Sequence, residues 1–266
     1  MGDPLEVRIA RSGPNRGWGA AIPAWDLQGL AWFRWIIGHQ IAFVAWRLLA
    51  ESLRRHLDGA TCHRGGGDCA ALADLGTLMF LYTGSCPPPV YHRALRSAMS
   101  RQHPAFSGEW AVDYRPLPGL ARRVSTGDSQ CAGAFTTRWR LQQRVHMAVA
   151  DRLVPDGPSL LRRAGRSPRQ GPTDAEAALY DDFFGTRRRG VCRRVLYGQL
   201  YHRIRAVLHD LERHGLYPHT VPVSATAPSR SGQEIAALEF RAADLLTERS
   251  DALRLASSGM LSTRGL

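Results

Sequence analysis

No convincing period-two alternation of apolar and polar side chains over five or more residues marks this chain. Apolar residues return every three or four positions instead, which is the period of a helix and not of a strand. The fold class read from this is all-α. The strongest stretch runs from Gly29 to Arg47, where Trp32, Trp35, His39, Phe43 and Trp46 share one helical face. An imidazole set in a stripe of indoles and phenyls has two readings. It is the wall of a cavity for something flat and aromatic, or a core histidine hydrogen-bonded to a neighbour.

The remaining patterning gives one helical domain over residues 1–266, long enough to bury a large core. Residues 1–23 are rich in Gly and Pro and read as an irregular arm. Helices are expected from Trp25 or Leu27 to Leu57, over 69–82, over 90–102 after Pro87-Pro-Pro89, over 137–154, and over 190–214 with Gly215 closing the last. A short helical turn is expected near Trp110 to Tyr114. Thr173-Asp-Ala-Glu176 is a capping box opening a helix to Phe184. Four prolines and three glycines among arginines mark 155–172 as a flexible loop, and 232–256 reads as an amphipathic C-terminal helix.

The formal charge of +12 invites a nucleic-acid reading. All 35 basic side chains counted with Lys and Arg are arginine, however, and Asn15 is the only asparagine. That bias reflects GC-rich coding before it reflects a partner. The clusters Arg187-Arg-Arg189 with Arg193-Arg194, and Arg162-Arg163 with Arg166 and Arg169, sit beside turn residues and read as solvated surface. Five cysteines without a CxxC argue against a disulfide framework and a tetrahedral zinc site. No secretory pattern opens the chain, and Arg34, His39, Gln40 and Arg47 interrupt the apolar run, so the expectation is a cytoplasmic protein without a membrane span.

Three further segments carry candidate chemistry. In Val191 to His209, Val195, Gly198, His202 and His209 fall on one face, and Leu196, Leu200, Ile204, Val207 and Leu211 on another. An interior glycine costs a helix about 1 kcal/mol relative to alanine, so Gly198, one turn before His202, asks for a reason. Room for a macrocycle docked on an axial His202 is one, and close helix–helix contact is the other. The segment from Tyr82 to Tyr114 sets Arg93 and Arg96 among aromatics and small residues. That combination suits an amino acid, a guanidinium fork for its carboxylate and an apolar slot for its ring, or exposed helix arginines. His146 shares a face with Trp139 and Val149. Phosphate loops, HExxH, GxSxG and paired ExxH motifs are absent from the sequence.

His39-Gln40 with an aromatic four residues on, in an early apolar helix, resembles the distal helix of tryptophan 2,3-dioxygenase. Pro104-Ala-Phe-Ser-Gly108 is the nearest equivalent of that family's Pro-Ala-Ser-Gly-Phe-Gln-Ser loop. The chain is shorter and lacks the family's Gly-rich segment. Tyr82-Thr-Gly-Ser-Cys86, Tyr91-His92, His103-Pro-Ala-Phe-Ser-Gly108 with Trp110, and Tyr201-His202 make it more similar to the related heme-dependent L-tyrosine 3-hydroxylases of natural-product pathways.

The resemblance implies a helical enzyme holding heme b through His202, with His209 and His146 as alternative ligands. Its substrates would be L-tyrosine and hydrogen peroxide and its product L-DOPA. It places His92 and His39 on the distal side, Arg93 or Arg96 on the carboxylate, and Phe106, Ser107 and Trp110 along the substrate slot. Nucleic acid and membrane are not among the implied partners, and a homo-oligomer is compatible with the reading. Competing readings are a heme dioxygenase opening an indole ring, a basic helical DNA-binding regulator, and a helical scaffold without cofactor.

Overall fold

A computed structural model describes residues 8–9, 26–59, 69–127, 129–155, 157–167 and 170–258. The described residues are all-α apart from one two-residue ladder. Asp26 opens helix α1, Leu27–Leu57, by accepting from Gly29 N at 2.7 Å. Helix α2, Cys69–Thr83, crosses α1 so tightly at Gly38 that a Cβ there would fall 2.3 Å from Thr83 Cγ2. Pro88 starts the next helix. It runs as α3, Pro88–Val90, widens into a π-helix over Tyr91–Arg96, and resumes as α4, Ser97–Gln102. Such π turns are rare and concentrate at functional sites.

A 3₁₀ turn at Gly108–Trp110 leads to α5, Leu117–Val124, which the sequence reading did not foresee. Helix α6, Gln130–Leu153, starts ahead of the expected Thr137, because Ser129 accepts from Ala132 N and caps it there. The stretch 155–172 is in part packed, not loose. It holds the short helix α7, Leu160–Arg163, with Leu160 and Leu161 buried. The Thr173–Glu176 capping box forms and opens α8, Asp174–Phe183.

Helix α9, Arg193–His214, ends at Gly215, whose φ of 66° suits a residue without Cβ. The single helix expected over 232–256 is two, α10, Ser229–Phe240, and α11, Ala242–Ser258. The break at Arg241 lets α10 pack on α2 and α6 while α11 packs on α9. Of residues 1–23, only Arg8–Ile9 (β1) lie among the described residues. They pair antiparallel with Thr186–Arg187 (β2). The expectation of an irregular arm otherwise falls outside the described residues, as does most of the loop expected over 59–68.

Polar contacts set how α1 and α9 lie. Arg34 meets Asp210, Gln40 meets Arg203 and Glu51 meets Arg193, so the two helices run antiparallel side by side. The first pair is fully enclosed. Arg34 also donates to Ser85 Oγ, Leu216 O and Gly215 O, while Tyr82 and His214 bond the Asp210 carboxylate. This satisfied network ties α1, the end of α2 and the end of α9 into one core. Among the described residues no single helix is long and apolar enough to cross a membrane.

Candidate functional site

The α1 aromatic face forms as its spacing predicts. Trp35 and His39 rings lie 4.4 Å apart, His39 and Phe43 6.1 Å, Phe43 and Trp46 6.0 Å. What covers that face comes from elsewhere. Phe184 stacks on His39 at 4.3 Å, Tyr180 and Phe184 pack on Phe43, and Tyr91 of the π-helix meets Trp35 at 5.8 Å. Phe106 joins the same cluster through Tyr180 and Phe183, at 5.2 and 4.8 Å. A double clamp holds these pieces: Arg188 grips Asp113 through both carboxylate oxygens and Asp181 through two further bonds.

His39 is neutral in this setting. Burial draws its pKa down to about 4, opposed in part by its bond to Trp35. That bond runs 2.6 Å from Nδ1 to the Trp35 carbonyl, an atom that can only accept, so Nδ1 carries the proton and Nε2 is left as a base. Nearby, the Trp35 indole N–H is buried without a partner.

His92 and Arg96 line one cavity of about 370 Å³ with Pro158 and Arg163. Arg96 is buried and donates to Pro158 O; burial pushes the Tyr91 phenol up, opposed in part by the Arg96 guanidinium. His92 stands outside Tyr91, ring to ring at 5.6 Å, so Trp35 and Tyr91 separate it from His39. The two distal candidates share a cluster without touching. Arg93 is exposed. Ser107 acts as a cap, its Oγ accepting from Glu109 N. Phe106 and Trp110 are enclosed, 4% and 1% exposed, and line neither of these cavities; Phe106 packs against Tyr180 and Phe183 of α8.

A second cavity, an open groove of about 670 Å³, runs along α1 past Trp32, Phe33, Ile36 and Ile37 to Gln40. Gln40 closes its polar end. Its Nε2 donates to Phe184 O at 2.8 Å, and its Oε1 faces Arg203 of α9. His202 directly precedes Arg203 and lies exposed on the outer face of α9 with Val195. A Cβ at Gly198 would meet nothing within 4 Å, so close helix contact does not explain that glycine. His209 is partly exposed and 3.8 Å from Glu212, and His146 stacks on Phe80 at 4.8 Å on α6.

Four arginines of the basic clusters have carboxylate partners. Arg187 pairs with Asp182, Arg188 with Asp113 and Asp181, Arg193 with Glu51, and Arg166 with Glu176. No protein-family model matches this chain, and no curated protein matches it.

Proposed function

We propose that this chain is a histidine-ligated heme enzyme that hydroxylates L-tyrosine ortho to its phenol at the expense of hydrogen peroxide. One observation carries the reading. Three segments far apart in sequence, around His39, Tyr91 to Arg96 and His103 to Trp110, meet in one aromatic cluster around an uncharged imidazole with a free Nε2. These are the segments on which the family resemblance rests.

Support for a porphyrin comes from separate parts of the chain: His202 offers an exposed imidazole beside the Tyr201 ring, Gly198 leaves room one turn away, and α1 presents an apolar groove that His202 does not line. Bound heme b would supply peroxide activation and oxygen transfer. The rest falls to the chain. His39 Nε2 keeps its lone pair near neutral pH, because burial keeps the ring uncharged, and can accept a hydrogen bond from a substrate hydroxyl. Arg96, buried at the edge of the smaller cavity, presents a fork for the amino-acid carboxylate. The aromatic cluster keeps water from the reacting ring.

The test is spectroscopic first. The purified chain given hemin should show a Soret band, and His202→Ala should lose it. Peroxide and L-tyrosine should then give L-DOPA by chromatography. A normal spectrum in His202→Ala with loss in His209→Ala or His146→Ala moves the ligand. N-formylkynurenine from tryptophan would replace the hydroxylase reading with ring opening.

A further inference from the structure

The smaller cavity, of about 370 Å³, gathers basic side chains from two elements. His92 and Arg96 come from the π-helix, about one turn apart, and Arg163 is the last residue of α7. Val154, Pro155 and Pro158 add apolar wall, and neither proline has a backbone N–H to offer. Arg96 is only 9% exposed. Its acceptors are neutral, Pro158 O at 2.8 Å and the Tyr91 phenol. Among the described residues none of the three basic side chains pairs with a carboxylate. Other enclosed guanidiniums differ. Arg34 and Arg188 have carboxylate partners, and Arg152 bonds Gly84 O, Cys86 O and Thr220 Oγ1 and lines neither cavity. A buried guanidinium without counter-charge is costly, and an anion arriving beside it relieves that cost.

We propose that this cavity binds the phosphoryl group of a small phosphate monoester. One carboxylate matches one guanidinium fork. Two arginines and an imidazole N–H around a single cavity match a group with a charge of about −1.5 to −2 and three acceptor oxygens. The volume lies near the low end of the roughly 300–1,000 Å³ of small-molecule sites. None of the residues lining it carries an indole, phenol or phenyl ring on which a nucleobase could stack. Arg96 is also the fork given above to the amino-acid carboxylate, so phosphate and L-tyrosine exclude one another there. That consequence rests on the proposed function, and the phosphate site itself does not.

Calorimetric titration of the purified chain with inorganic phosphate, acetate and L-tyrosine, at constant ionic strength, separates the sources. Phosphate should bind at least about tenfold more tightly than acetate, the worth of a further charge-assisted bond. Arg163→Gln changes an exposed residue and should lower phosphate affinity by about tenfold. Arg162→Gln, exposed and outside the cavity, should leave it unchanged. Equal loss in the two variants means diffuse surface charge and overturns the site. Equal binding of phosphate and acetate, or no phosphate binding to the wild-type chain, overturns it too. Asp156, between Pro155 and Gly157, lies outside the described residues. Phosphate binding that appears only in Asp156→Asn overturns the proposal, because the cations then have an internal counter-charge. If phosphate binds and L-tyrosine does not, the phosphate site stands and the amino-acid reading of Arg96 fails. The converse result overturns the phosphate site and leaves that reading in place.

Discussion

Arg34 Nε donates to Asp210 Oδ2 at 2.8 Å, and both side chains are almost wholly enclosed, at 2% and 3% exposure. The same carboxylate takes the Tyr82 hydroxyl and His214 Nδ1. Removing it strands a buried cation and a buried phenol at once. Asp210→Ala should therefore destabilise the fold by about 3–5 kcal/mol, read as a lower urea midpoint. An unchanged midpoint would show that the network is not holding α1 to α9.

The crossing of α1 and α2 depends on the missing side chain at Gly38. Gly38→Ala should cost about 1–3 kcal/mol by overpacking, since its Cβ meets Thr83 Cγ2. Thr83→Ser removes that methyl and keeps the hydroxyl bonded to Met79 O. The double variant should recover most of the loss in thermal melts. Failure of the rescue places the strain elsewhere.

Gly198 separates packing from ligand binding. Its Cβ position is open, so Gly198→Leu should fold, with helix α9 gaining up to about 1 kcal/mol of propensity. Under the heme reading the same side chain intrudes beside His202 and should sharply lower hemin uptake. Retention of a normal Soret band in that variant counts against an axial His202.

His39 gives the fold an acid-side dependence. Its folded pKa is lowered to about 4 against an ordinary value of 6.5. Above pH 6.5 it is neutral in both folded and unfolded chains. As pH falls from 6.5 toward 4 the unfolded chain takes up the proton first, so stability declines, by at most about 1.4 kcal/mol per pH unit. His39→Phe should flatten that part of the stability curve. A variant whose curve keeps the same acid slope would show that His39 is not the group responsible.

Much of the helical layout was legible, and so was the aromatic face of α1. The core stripe of α9 formed as read, with Leu196, Leu200, Ile204 and Val207 buried. The capping box at Thr173 and the stop at Gly215 formed because their chemistry is local. The π turn over Tyr91–Arg96, the break at Arg241 and the early start of α6 were not legible. Each depends on how an element meets a partner or on a cap outside the apolar pattern.

Sequence by itself determined the helical class, the shared face of Trp35, His39 and Phe43, and the placement of Gly198 one turn before His202, because these follow from a period of 3.6 residues and nothing more. Tertiary structure alone decided that Phe184 stacks on His39, that Phe106 and Trp110 are enclosed, that Arg96 turns to Pro158, and that Arg203 reaches Gln40. Those contacts join residues dozens of positions apart. The buried charge pairs and ring packing that fix them depend on three-dimensional neighbours that no local pattern encodes.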